Sequence, residues 1–188
     1  PALKAMGEGL GERVFYLTAK NTTHAAAEEA LRVLRQKSGT LRLKSVTLTA
    51  KDKVCLLPER DCTPEACPYA NGYFDRVNDA LFDILADEDV FTREAVAAYS
   101  KKKMLCPFEF ALDLSSFCDC IIGDYNYLFD PVVSLKRFFE TGGDYIFLID
   151  EAHNLSHRAR DMYYAEVKKS DFFAMKKLLE KAPRKLKT

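Results

Sequence analysis

The chain has 188 residues, enough for one large domain or two small ones built around a real hydrophobic core. Apolar residues make up 48% and charged residues 30%, which excludes a disordered or fibrous chain. Lys plus Arg and Asp plus Glu each number 28, so the net charge is zero and any nucleic-acid contact must come from local basic clusters.

No apolar run approaches the roughly 20 residues of a membrane span, and the N-terminus has no signal-peptide pattern. The expected location is cytoplasmic, with no membrane partner. Thiols stay reduced there, so the six cysteines point to metal ligation or burial before disulfides. The opening Pro1-Ala2-Leu3-Lys4-Ala5-Met6 has no initiator Met and reads as a segment of something longer.

Residues 1–8 read as the tail of a helix stopped by Gly7, Gly9 and Gly11. Arg13-Val14-Phe15-Tyr16-Leu17-Thr18-Ala19 is β-branched and aromatic, a buried strand. Lys20-Asn21-Thr22-Thr23 forms a loop, and Thr22 or Thr23 caps a helix over residues 24–36 with Ala27, Ala30, Leu31 and Leu34 on one face. Residues 41–48 alternate as a second strand, completing a β-α-β unit of the kind that builds parallel sheets. Between 53 and 107 this rhythm breaks off, with helices expected over 73–85 and 92–103. It resumes with a helix over 108–114, a strand over 117–123, a polar-aromatic loop over 124–127 and a helix over 132–139. Gly142-Gly143 then turns the chain into a last strand ending at Asp150. Further helices are expected over 156–164 and 171–181, before a basic end at 184–187. The expected fold class is α/β, a parallel sheet interrupted by a mainly helical insertion.

Four cysteines fall inside the insertion. Cys55 opens it, Cys62 and Cys67 lie in a Pro-rich loop, and Cys106 closes it beside Pro107. A zinc site usually takes close Cys pairs with two to four residues between members, and Cys55, Cys62 and Cys106 do not fit that spacing. A [4Fe–4S] cluster is wider and accepts looser spacing. Zinc and four separately buried thiols are the competing readings. With few large apolar clusters of its own, the insertion would draw much of its stability from a metal. Cys118 and Cys120 lie two apart on the predicted strand and should face one way as packed core thiols.

The apolar run Ile146-Phe147-Leu148-Ile149 ends in Asp150-Glu151-Ala152-His153. In an open α/β sheet, ligands bind outside the carboxyl ends of the strands. An Asp there can hold Mg²⁺ on a nucleotide phosphate, and a neighbouring Glu can orient and deprotonate water. An acidic helix start is the plainer alternative. Asp-Glu-Ala-His resembles the Walker B box of superfamily 2 helicases.

Taken together these residues resemble the iron–sulfur helicases of the XPD/DinG group, and the likeness spans nearly the whole chain in order. Tyr16-Leu17-Thr18-Ala19-Lys20 resembles motif Ia. Cys55-Leu56-Leu57-Pro58-Glu59 and Cys62-Thr63-Pro64-Glu65-Ala66-Cys67-Pro68-Tyr69-Ala70 resemble the cluster-binding segment. Cys106-Pro107-Phe108-Glu109 resembles its last ligand, and Asp124-Tyr125-Asn126-Tyr127-Leu128-Phe129-Asp130-Pro131 the segment before Walker B.

The resemblance implies a partial RecA-like sheet over 1–52 and 108–155, a cluster domain over 53–107 and the start of an arch-type helical insertion over 156–188. It implies ATP-driven 5′-to-3′ translocation on single-stranded DNA and unwinding of forked DNA by a monomer, in repair or replication. Asp150 would coordinate Mg²⁺ on bound ATP, Glu151 would act as the base on water, and His153 would couple nucleotide state to the motor. Cys55, Cys62, Cys67 and Cys106 would ligate a [4Fe–4S] cluster. The departure is the Gly-x-x-x-x-Gly-Lys-Ser/Thr loop, which this sequence does not contain. The chain alone is therefore expected to be inactive and to need the rest of its own helicase chain. A stand-alone metal-stapled nucleic-acid-binding or redox-sensing domain is the alternative; the retained Asp150–Glu151 pair argues against it.

Single strands are gripped by cations along the backbone and by aromatic stacking. Lys20, Asn21 and Thr22 follow the motif Ia strand. Lys51, Tyr73, Phe74 and Arg76 interleave cations with aromatics in the insertion, although Phe74 equally suits a helix core. Asn126 and Tyr127 lie in a polar loop near the strand ends, open to DNA or to packing. Lys101-Lys102-Lys103 is the densest basic run near the cysteines. His24 and His157 read as surface residues.

Overall fold

The computed structural model describes residues 1–19 and 21–181, with the side chains of Asn21, Thr22 and Lys181 outside the description. In chain order the elements are α1 (Ala2–Gly7), β1 (Arg13–Thr18), α2 (Asn21–Ser38), β2 (Ser45–Thr47), α3 (Lys51–Val54), α4 (Tyr73–Asp87), β3 (Val90–Phe91) and α5 (Arg93–Lys103). They continue with α6 (Pro107–Ser115), β4 (Cys120–Asp124), α7 (Asn126–Phe129), α8 (Lys136–Phe139), β5 (Tyr145–Ile149), α9 (Leu155–Met162) and α10 (Lys169–Lys181). The five strands form one parallel sheet in the order β3-β2-β4-β1-β5.

Period-two alternation sorts β1 between two apolar layers. Phe15 and Leu17 face a large core with Val46, Ile121, Phe110, Leu114 and Phe138. Val14 faces a smaller one with Ala27, Leu31, Cys120 and Ile122, where α1 and α2 lie. β5 is an outer strand, and its Phe147 ring stacks on Phe15 at 5.5 Å.

The inserted segment is not an apolar-poor appendage. Tyr73, Val77, Ala80, Ile84, Phe91 and Val96 all belong to the large core, and β3 extends the sheet beside β2. A two-residue strand has too little length to show a period, which is why the sequence hid it. The expectation of metal-borne stability therefore contracts to residues 55–72, where Cys67 alone is fully buried.

Three predicted spans shorten for local reasons. The Lys44 amide bonds the Asp119 carboxylate at 2.7 Å, and strand pairing begins only at Ser45. The amides of Phe117 and Cys118 close a turn onto Leu114 and Ser115, so β4 starts at Cys120. Asp130 accepts from the amides of Val132 and Val133, and this side-chain turn delays α8 to Lys136.

Because Cys118 precedes the strand, the two core thiols do not share a face. Cys118 joins the large core and Cys120 the small one. Burial raises both thiols, Cys120 to about 12. His24 is a second correction: it is buried, 5% exposed, beside Glu28, Asp124 and Lys53, and its ring bonds the Gly123 backbone. A one-residue polar interruption on an apolar helix face does not announce itself as buried.

Candidate active site and thiol-lined cavity

Asp150 leaves the sheet with its amide still in the ladder, donating to the Leu17 carbonyl at 2.9 Å. Glu151 then takes the left-handed conformation at φ 52°, one of two non-glycine residues to do so among the described residues. A side chain held there costs about 1–3 kcal/mol, a strain that recurs at functional sites. The turn Ala152–Asn154 follows, and the Asn154 amide bonds the Glu151 carbonyl at 2.9 Å. Glu151 and His153 are exposed, with Oε2 and Nε2 3.4 Å apart. Asp150, Glu151 and His153 thus sit together just outside the carboxyl end of β5.

Two tyrosines that lie inside the quoted motifs, but to which no role attaches there, approach this box. Tyr16, on β1, is raised by burial and then by the charge and hydrogen bond of Asp150, to which its hydroxyl donates. Tyr125 is fully buried, its hydroxyl has no hydrogen-bond partner among the described residues, and burial followed by the charges of Asp150 and Glu151 raises it. The signal in sequence was faint: Tyr16 reads as strand filler and Tyr125 as loop.

The expected loop over 124–127 is instead the start of α7, and this helical turn packs inward. Tyr127 is 7% exposed, and Gly123 is needed beneath it because a Cβ there would come within 2.9 Å of the ring. Burial pushes its hydroxyl up to about 12. Tyr127 is therefore withdrawn from stacking on DNA, a correction to the sequence reading. Asn126 is half-buried, its amide on Asp124 Oδ1 at 2.9 Å. Lys20 lies outside the described residues, as do the side chains of Asn21 and Thr22, so their predicted contacts stand only as expectations.

The four insertion cysteines converge. Cys55, Cys62, Cys67 and Cys106 line one narrow cavity of about 20 Å³. Beside it, Cys62, Cys67 and Cys106 share a roomier one of about 320 Å³ with Lys51, Tyr73, Phe74, Glu109 and Asp113. All six cysteines are free thiols. Among the described residues no three His, Cys, Asp or Glu side chains are close enough to hold a single metal ion.

Cys106 caps α6, with Pro107 in the first turn. Burial raises its thiol, while the amides of Glu109 and Phe108 and the Lys51 charge pull it down. Cys67 and Cys106 are tied by the bond from the Cys106 amide to the Tyr69 carbonyl, 3.1 Å. Arg76 reinforces the tie, donating to the Asn71 carbonyl at 2.6 Å and the Met104 carbonyl at 2.8 Å. Gly72, at φ 63°, leaves room for that guanidinium, because a Cβ would stand 2.7 Å from it.

The DNA candidates of the insertion divide. Tyr73 is 6% exposed and donates to Asp113 Oδ2 at 2.7 Å; burial, then Asp113, raises its hydroxyl. It is a core residue, and the sequence reading is corrected. Phe74 is 84% exposed at the rim of the larger cavity, so of its two readings the helix-core one does not hold. One step along a helix turns a side chain by about 100°, so neighbours exchange places easily. Arg76 is occupied by backbone carbonyls. Lys51 bonds Glu109 at 2.8 Å across the cavity wall and lies 5.2 Å above the Phe108 ring. Burial alone would lower the Lys51 ammonium, but Glu109 outweighs it and the net direction is up. Of the basic run, Lys103 is paired with Asp83 and Lys102 lies over Tyr99.

Comparison with known proteins decides the family. The DEAD_2 family profile matches residues 40–172, well over half of the chain. This chain belongs to the DEAD_2 family, the helicase domain of the XPD type. It is 32% identical over 97 residues to the XPD/RAD3 helicase subunit of general transcription and DNA repair factor IIH from Saccharomyces cerevisiae, covering 50% of this chain and 12% of that protein. It is 24% identical over 180 residues to the regulator of telomere elongation helicase 1 homolog of Drosophila ananassae, covering 89% and 18%. The chain thus spans less than a fifth of either relative. A solved structure of truncated XPD shares its fold, with a TM-score of 0.53 at 20% identity, over 81% of this chain and 44% of that one. Among the described residues no helix is long and apolar enough to cross a membrane.

Proposed function

We propose that this DEAD_2 domain is the hydrolysis-box and iron–sulfur portion of an ATP-dependent DNA helicase motor. The observation that carries the proposal is the Asp150–Glu151 pair standing immediately outside the carboxyl end of β5, where parallel sheets bind ligands. Asp150, whose carboxylate accepts from the Tyr16 hydroxyl, would hold Mg²⁺ on a bound nucleotide's phosphates. Glu151, exposed beside it, accepts the proton of the attacking water. His153, in contact with Glu151, relays nucleotide state rather than performing chemistry.

Cys55, Cys62, Cys67 and Cys106 fit a [4Fe–4S] cluster. What supports this is that all four residues line one cavity, at a spacing in sequence that a cluster tolerates. When bound, the cluster would supply cross-links holding the loop over 55–72 against α6, a structural role. From the protein side, Arg76 ties Asn71 at the end of that loop to Met104 just before α6, and the Lys51–Glu109 pair ties α3 to α6.

Single-stranded DNA would run along the carboxyl ends of the strands, past the loop after β1 and Asn126, toward exposed Phe74. Translocation is 5′ to 3′, opening forked duplexes in repair or replication. The chain alone has no phosphate-cradling Gly-x-x-x-x-Gly-Lys-Ser/Thr loop and does not turn over ATP by itself. In the full-length polypeptide, Glu151→Gln should abolish DNA-stimulated ATP hydrolysis and leave single-strand affinity near wild type. Hydrolysis at the wild-type rate in that variant would end this assignment.

A further inference from the structure

We propose that Arg158 is a positioning residue that couples the hydrolysis box to the two loops at the carboxyl ends of β1 and β4. It lies outside the motifs that carry the family resemblance, on α9, the helix that leaves the box after the turn Ala152–Asn154. Its guanidinium runs back to the sheet and donates to the Ala19 carbonyl at 3.1 Å and to Asp124 Oδ2 at 3.0 Å. Ala19 opens the loop into α2, and Asp124 ends β4.

These two loops are already in register with each other and with the box. The Tyr125 amide bonds the Thr18 carbonyl at 3.1 Å, and the Asp150 amide bonds the neighbouring Leu17 carbonyl at 2.9 Å. Asp124 uses its other oxygen on the Asn126 amide at 2.9 Å. Arg158 therefore closes a ring of contacts: box, α9, loop after β1, loop after β4. The adjoining charged residues His157, Arg160 and Asp161 are exposed, whereas Arg158 is half-buried and turned inward.

Holding α9 in place does not require this arginine, because Leu155 and Met162 at its two ends already pack on the large core. A surface pair would contribute little to stability in any case. What the guanidinium adds is one amino group, Nη2, that donates both to a carboxylate and to a backbone carbonyl at the ends of different strands. A shift of the box on hydrolysis moves α9, and α9 moves Ala19 and Asp124 with it. Coupling needs such a shared element whose equilibrium both sites bias.

The inference rests on the helicase reading, and the test separates the two. In the full-length polypeptide, ATP hydrolysis is measured with and without a single-stranded oligonucleotide, alongside oligonucleotide affinity with and without a non-hydrolysable ATP analogue. Arg158→Gln should keep DNA-free hydrolysis within about twofold of wild type while DNA stimulation falls about tenfold, in the range of ordinary coupling free energies. Its oligonucleotide affinity should stop responding to the analogue. Arg158→Lys, which keeps the charge facing Asp124, should restore part of both responses, and Asp124→Asn should reproduce the loss. Equal losses of basal and stimulated rates, or stimulation kept at the wild-type ratio in Arg158→Gln, would overturn the proposal. A wild-type protein whose hydrolysis ignores DNA would instead overturn the helicase reading on which it rests.

Discussion

Tyr73 and Phe74 are adjacent in sequence and opposite in environment, so replacing each in turn separates folding from DNA contact. Tyr73→Phe removes one hydroxyl, whose bond to Asp113 is 2.7 Å long and part-buried. A hydrogen bond to a charged acceptor contributes about 1.5–3 kcal/mol. Asp113 keeps Arg137 at 3.0 Å as a second partner, which places the loss at the low end, about 1.5 kcal/mol. The urea midpoint of the full-length polypeptide should fall accordingly, with oligonucleotide affinity unchanged. Phe74→Ala empties no core site, since the ring is 84% exposed. Its stability should stay within about 0.5 kcal/mol of wild type. Its affinity for a single-stranded oligonucleotide, read by fluorescence anisotropy, should drop by the roughly 1–3 kcal/mol of one stacked base. The reverse pattern, with Tyr73→Phe costing affinity and Phe74→Ala costing stability, would refute the reasoning.

Removing metal with a chelator should expose residues 55–72 to protease while the sheet persists, because Cys67 is the one buried residue of that loop whereas the strands lie in the core; simultaneous digestion of β1–β5 would contradict this. Cys118 and Cys120 keep their protons far above 9, where a free thiol ionises. Above pH 9 the unfolded chain releases protons that the folded chain retains, so stability falls as pH rises toward 12. Double replacement by Ala should flatten that slope, as measured by denaturation at stepped pH. His24 is held below its usual 6.5 by burial, so below that pH the unfolded chain gains a proton first and stability drops. His24→Gln should lessen this acid sensitivity.

The sheet and the box were legible because period and composition agree there. Arg13 to Thr18 and Tyr145 to Ile149 are strands by residue type as well as by pairing. An apolar strand that breaks off at two adjacent carboxylates marks the ligand-binding end of a parallel sheet. That Cys55, Cys62, Cys67 and Cys106 line one cavity accords with their placement at the two ends of the insertion. Side-chain direction was not: Tyr73 and Phe74 carry the same hydrophobic signal, and only helix phase against the core decides between them. Tyr16 and Arg158 were invisible for another reason. Each acts across the chain, Arg158 on a carbonyl 139 positions earlier, and no local pattern records such a bond.

The most direct test of the account is iron and acid-labile sulfide analysis of protein purified without oxygen. Equal amounts of iron and sulfide, lost together in Cys106→Ser, are the predicted result. Stoichiometric zinc, or native and fully ordered protein with neither iron nor sulfide at any stage, would contradict it.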